Sequence, residues 1–242
     1  MLNAAVLLCA GQSSRMKGAV PDKVLAPLAG RTALEYSLRA FREAAVVEHY
    51  MFVVRDAEQQ AAIAAAIAPL NFPAAATFFA TGGQERQDSV YNGLHDLSLL
   101  VDNVFIHDCA RPLITPDNLR ALLDVVVRDK AAVLAHRVTD TIKQAPIRKR
   151  GGLRRLRLRD LRRDTLWAME TPQVFARELI IEAYRQLRLE DLRVTDDAAA
   201  VATLGHPVTL VENPHPNPKL THPEDFAFVE LLLQRRAAAN SG

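Results

Sequence analysis

Gly11 ends an apolar run near the start of the chain, in the stretch "LLCAGQSSRM" (7–16), and the loop beyond it carries Ser13, Ser14 and Arg15. Lys23 follows eight residues after Arg15. A backbone that can approach closely at Ala10 and Gly11, two hydroxyls and two cations form a set able to grip and neutralise a polyphosphate. The plain alternative is a polar turn that merely closes a strand. Neither common phosphate cradle is present: the loop lacks GxGxxG, and no GxxxxGK[ST] occurs in the chain.

Three further clusters carry reactive side chains. "HDCARP" (107–112) places Asp108 directly after an apolar run, where a carboxylate can serve as a Mg²⁺ ligand beside substrate phosphates, or can simply be a solvated acid paired with Arg111. His107 reads as a packed core histidine. "GGQERQDSV" (82–90) joins a Gly82–Gly83 turn to Asp88 and Ser89 near a helix start. "NPKLT" (217–221) holds Lys219 in a proline-stiffened loop, which favours a positioned cation over a mobile one.

The elements that must position these groups follow from hydrophobic periodicity. Apolar runs at 4–10, 50–54, 76–81, 103–108, 131–138 and 207–212 predict strands. Helical patterns span 32–44, 56–68, 85–97, 117–128, 177–189, 196–205 and 223–236, the first opened by a Thr32/Glu35 capping box. Alternation of the two implies right-handed βαβ units, hence an α/β fold of three layers with a mostly parallel sheet. All four polar clusters then sit at the carboxyl ends of strands, where open parallel sheets bind ligands. The pattern breaks at about 138–172, where Arg and Leu alternate and Gly151–Gly152 offers a turn, predicting a two-stranded arm that leaves the body.

With 242 residues, 49% hydrophobic and 24% charged, the chain has the composition of one ordinary globular domain. No apolar run is long enough to span a bilayer, and the N-terminus has no signal-peptide pattern. Two cysteines, Cys9 and Cys109, fit a reducing cytoplasm and cannot form a disulfide framework. The net charge of +2 conceals an asymmetry. Residues 148–163 hold nine Lys or Arg against one Asp, a local +8 that leaves the remainder at −6. That segment contains no aromatic residue to stack on bases, so RNA binding through the arm is a remote reading, and a solvated or partner-facing arm is preferred.

Taken together, "LLCAGQSSRM…DK", "GGQERQDSV", "HDCARP", "VTDTIK", "TPQVF", "VTDDAAA" and "NPKLT" resemble, in order and spacing, the motifs of the 2-C-methyl-D-erythritol 4-phosphate cytidylyltransferases of the nonmevalonate isoprenoid pathway. The resemblance covers essentially the whole chain. It implies a Rossmann-like nucleotidyltransferase domain over 1–242, using CTP, methylerythritol phosphate and Mg²⁺. It also implies a homodimer clasped through the β-arm, with no membrane and no nucleic-acid partner. Carried over by motif, Ala10, Gly11, Gly83 and Ser89 line the nucleotide site, Arg15, Lys23 and Lys219 surround the phosphates, and Asp108 faces the metal. Thr141, Arg163 and Thr195 meet the methylerythritol phosphate, with Arg163 supplied by the neighbouring arm. The chain departs from the family pattern at Asp22, at Cys9 and Cys109, and in its Arg-rich arm. A ribitol 5-phosphate cytidylyltransferase, which shares fold and nucleotide motifs, is the nearest alternative.

Overall fold

The computed structural model describes residues 1–16, 18–146 and 155–239; the expected Gly151–Gly152 turn and the start of the basic run, 148–154, lie outside the described residues. The first half contains β1 (Asn3–Leu8), β2 (Pro27–Leu28), β3 (Arg31–Thr32), α1 (Ala33–Ala44), β4 (His49–Val54), α2 (Ala57–Ile67), β5 (Thr77–Thr81), α3 (Arg86–His95), β6 (Asn103–Asp108) and α4 (Pro116–Asp129). The second contains β7 (Ala131–Arg137), β8 (Lys143–Gln144), β9 (Arg159–Asp160), β10 (Trp167–Ala176), α5 (Arg177–Leu189), α6 (Asp197–Ala202), β11 (Thr209–Glu212) and α7 (Glu224–Ala239).

Seven strands form the central sheet in the order β11-β7-β10-β6-β1-β4-β5. Every pairing is parallel except the two made by β10, which runs antiparallel between β6 and β7. The predicted α/β, mostly parallel, Rossmann-like three-layer architecture is therefore present. Its layers follow from the period of two along buried strands. Ala5 and Leu7 of β1 face a core shared with α1, α2, α4 and α7, whereas Ala4 and Val6 face one shared with α3, α5 and α6. The Thr32/Glu35 capping box forms: the Glu35 N–H donates to Thr32 Oγ1 at 3.2 Å and the Thr32 N–H to Glu35 Oε2 at 2.7 Å.

β10 is the element that sequence patterning does not reveal. The periodicity assigns residues up to 172 to the arm, yet Trp167–Ala176 enters the middle of the sheet. Its segment "METPQ" places Glu170, Pro172 and Gln173 inside a buried strand, against the usual alternation, and a central proline argues against a strand. The structure accommodates them at an irregularity, where the register against β7 shifts between Met169 and Gln173. Within the arm, β8 and β9 pair antiparallel, Lys143 with Asp160 and Gln144 with Arg159, and Lys143 forms an ion pair with Asp160.

α3 presses hard on the sheet. A Cβ added at Gly93 would stand 2.8 Å from Val53 Cγ2 and 2.9 Å from Val6 Cγ1. Gly93→Ala therefore brings an overpacking penalty of about 1–3 kcal/mol, against a helix-propensity gain of at most about 1 kcal/mol. Urea denaturation should show a net loss of about 1 kcal/mol; an unchanged or raised midpoint means that the helix moves out freely.

Candidate active site

A cleft of about 490 Å³ opens at the carboxyl ends of β1, β4, β5 and β6. Of the eleven residues expected in the site, eight line it: Ala10, Gly11, Arg15, Lys23, Gly83, Ser89, Asp108 and Lys219. Thr141, Arg163 and Thr195 do not. Arg163 lies in the arm and donates to the Thr139 carbonyl at 2.8 Å, while Thr195 is exposed immediately before Asp196, the N-cap of α6.

The first wall is the loop after β1. It is anchored from below by Met16, fully buried in the core, and turns at Ser13, whose carbonyl accepts the Met16 N–H at 2.8 Å. The Ser13 hydroxyl also accepts the Lys23 N–H at 3.3 Å, tying the two cation-bearing stretches together. The buried Asp22 carboxylate accepts the Val24 N–H at 3.0 Å and the Gln59 amide at 2.5 Å, which holds the Lys23 turn against α2. Burial lowers the Lys23 ammonium pKa below its ordinary value, and Lys219 and Arg15 push it further down. Cations crowded in this way favour an entering polyanion.

The second wall is the turn between β5 and α3. A Cβ at Gly82 would fall 2.6 Å from Ala10 Cβ, so only glycine lets this turn close against the first loop. The Ser89 hydroxyl accepts the Gly83 N–H at 3.0 Å and donates to the Glu85 carbonyl at 3.2 Å, so here it shapes the turn.

Asp108 forms the floor at 7% exposure. The solvated acid paired with Arg111 is not what forms, because the Arg111 guanidinium donates instead to the Asn217 carbonyl at 2.7 Å. Asp108 Oδ1 accepts Arg86 Nε at 3.1 Å and Oδ2 accepts Lys219 Nζ at 2.5 Å. Burial alone would push this carboxyl up; Arg86 and Lys219 outweigh it and hold it well below the usual carboxylate range. Arg86 in turn makes a bidentate pair with the fully buried Asp197, at 3.0 and 2.8 Å, and the Tyr184 hydroxyl donates to Asp197 at 2.6 Å.

Sequence reasoning did not single out Arg86 or Asp197. The signal was available in "GGQERQDSV" and "VTDDAAA", but nothing in either motif shows that they meet. Arg55, just after β4, also lines the cleft and pairs with Asp56 at 2.9 Å. No group of three or more His, Cys, Asp or Glu placed to hold a metal ion occurs among the described residues. Cys9 and Cys109 are buried side by side, and burial first, then the neighbouring thiol, pushes the Cys109 pKa up, so it stays protonated and unreactive at neutral pH.

The cleft thus gathers Arg15, Lys23 and Lys219 around an ionised carboxylate at the crevice where α/β sheets bind nucleotides. The family model for 2-C-methyl-D-erythritol 4-phosphate cytidylyltransferase (IspD) matches residues 3–235. The chain belongs to this family. Among curated family members, the enzyme of Pelotomaculum thermopropionicum is 37% identical over 233 residues, covering 96% of this chain and 94% of that protein. The one from Geobacillus thermodenitrificans is 37% identical over 242 residues, covering 97% and 98%. The crystal structure of the family member from Thermus thermophilus superposes with a TM-score of 0.74 at 29% identity, covering 97% of this chain and all of that one. The 4-diphosphocytidyl-2C-methyl-D-erythritol synthase of Anaerococcus prevotii shares the fold with a TM-score of 0.82 at 23% identity, over 96% of both chains.

His107 is the core histidine expected. It is fully buried, with Nε2 3.2 Å from Ser37 Oγ and Nδ1 3.1 Å from Thr171 Oγ1. Burial pushes its pKa down to about 3, so it stays neutral while folded and protonates on unfolding below about 6.5. Its contribution to stability is full above that unfolded value and is lost as pH falls from there towards 3. Between pH 7 and pH 5, wild type should lose about 2 kcal/mol more than His107→Gln in chemical denaturation. Equal losses in the two proteins would remove His107 from the acid response.

Proposed function

We propose that this chain transfers a cytidylyl group from CTP to 2-C-methyl-D-erythritol 4-phosphate and releases pyrophosphate. The observation that carries the reading is the convergence of Arg15, Lys23 and Lys219 on the Asp108 floor, in a chain whose family membership spans residues 3–235. In the reaction a phosphate oxygen of the acceptor forms a bond to the α-phosphorus of CTP. The bond from that phosphorus to the β-phosphate bridging oxygen breaks in line, and its electron pair leaves with pyrophosphate. Both reactants are anions, so the protein's work is orientation and neutralisation of repulsion.

Ala10, Gly11 and Gly83 offer backbone for close approach of the nucleotide, with Ser89 holding the turn. Arg15 and Lys23 face the polyphosphate. Lys219 balances the charge that grows on the α-phosphoryl oxygens as the bond to pyrophosphate lengthens. The acceptor is a phosphate monoester, already ionised at neutral pH, so no general base is required.

The donor set also fits a magnesium ion of limited protein ligation. Asp108 is one carboxylate held ionised by its neighbours, and Mg²⁺ ordinarily takes one or two carboxylates and draws its other oxygens from phosphates and water. Asp108 would hold it, and the ion would supply further charge withdrawal from the phosphates.

The same reading makes residues 1–242 one nucleotidyltransferase domain whose arm, between β7 and β10, clasps a second copy. Thr141, Thr195 and the partner-facing Arg163 contact the acceptor. The buried free thiols suit a cytoplasmic enzyme, and no described helix is long and apolar enough to cross a membrane.

Pyrophosphate release with CTP should be fast with methylerythritol phosphate and at background with ribitol 5-phosphate. Equal or faster turnover of the ribitol ester would transfer the assignment to that acceptor. Sharing of the site across the dimer has its own test. Lys219→Ala and Arg163→Ala, each reduced to a small residual rate, should recover about a quarter of full activity when refolded together, since about half the dimers are mixed and each mixed dimer has one intact site. No recovery, with subunit exchange verified by two tags, would place Arg163 in its own subunit's site.

A further inference from the structure

Glu170 is a carboxylate at 2% exposure, in the irregular stretch of β10, with no place among the cleft residues. Both of its oxygens are used. Oε1 lies 2.6 Å from Nδ1 of the half-exposed His136, and Oε2 accepts Asn213 Nδ2 at 2.9 Å and Asn217 Nδ2 at 3.0 Å. These two asparagines bracket the proline-rich loop that follows β11 and leads into Lys219. Asn217 also donates to the Thr171 carbonyl at 3.2 Å, and its own carbonyl receives Arg111 at 2.7 Å. The loop's exit is pinned by the Leu220 N–H donating to the Ala110 carbonyl at 2.8 Å.

Lys219 is thus held on both sides by contacts that do not involve its own side chain. A lysine side chain has four rotatable carbons and loses considerable entropy when fixed. The loop backbone must therefore be placed well for Nζ to reach Asp108. Glu170 supplies the acceptor shared by two of the loop's buried amides, and a buried amide left without an acceptor is costly.

We infer that Glu170 is a positioning residue for Lys219: it acts on cytidylyl transfer by fixing the 213–219 loop, without touching substrate. The inference rests on the role proposed above for Lys219. Truncation to alanine frees the loop and lowers kcat, with little change in the KM for CTP, because the binding cations Arg15 and Lys23 stand on other segments. In a Lys219→Ala background the same truncation has nothing left to position. Glu170→Gln preserves function, since its carbonyl can accept from both asparagines while its amide donates to His136.

The test is a double-mutant cycle in the full-length protein, with kcat and KM for CTP measured in the pyrophosphate assay and folding followed by thermal melting. Expected are a fall in kcat of about tenfold or more for Glu170→Ala, less than about threefold further loss in Lys219→Ala, and rescue by Glu170→Gln. Wild-type kcat in Glu170→Ala, or a full multiplicative loss in the double variant, overturns the inference. Where Glu170→Ala melts below the assay temperature, Asn217→Ala takes its place in the cycle, and the same two results support or overturn the inference. Absence of wild-type turnover with CTP and methylerythritol phosphate would instead reject the functional reading, which keeps the two failures apart.

Discussion

The Asp108 carboxylate sits at the carboxyl end of β6, almost out of contact with water, and a buried charge must be matched where it stands. The match comes from Arg86 on α3 and Lys219 on the loop after β11, and Arg86 is itself anchored by Asp197 at the start of α6. Tyr184 of α5 closes the chain of contacts. Negative and positive groups alternate through it, so each charge is flanked by its opposite. Loss of Arg86 leaves the fully buried Asp197 without a cation, a loss on the order of 3–5 kcal/mol for buried pairs. Five segments distant in sequence are brought to one point by this requirement.

β10 supplies the mechanical counterpart. Within four residues it holds three parts of the site. Glu170 engages the asparagines of the Lys219 loop. The Thr171 hydroxyl accepts the Asp108 N–H at 3.1 Å. Gln173 donates to Asp196 at 3.0 Å and accepts the Ala198 N–H at 2.9 Å, fixing the helix start that carries Asp197. An antiparallel strand driven into a parallel sheet brings this polar run alongside the end of β6.

Much of this was legible in the sequence, for physical reasons that can be named. Strands buried on both faces read as continuous apolar runs, as "AAVLL" and "VFI" do, and the Thr32/Glu35 spacing encodes its own helix cap. Arg15, Lys23, Asp108 and Lys219 stand out in the sequence as charged groups at strand ends, where open sheets bind ligands, and the family motifs favour a site there over plain polar turns. β10 was not legible, because its polar residues face tertiary partners that no local period records. Arg86 was hidden for a related reason: its partners lie 22 and 111 residues away, and a helix-start arginine looks solvated until they are known. Thr141, Arg163 and Thr195 lie outside the cleft of a single chain, and only the family motif singles them out.

Arg15, Asp108 and Lys219 stand on segments wired into the core, whereas Thr141 and Arg163 ride on an arm whose described residues lie largely on the surface. Changes at surface positions alter folding free energy by only about half a kilocalorie per mole. Under the proposed function, the nucleotide side of the site is tied to the scaffold and the acceptor side is carried on the arm. Substitutions in the arm would then alter acceptor preference without endangering the fold that holds the nucleotide side.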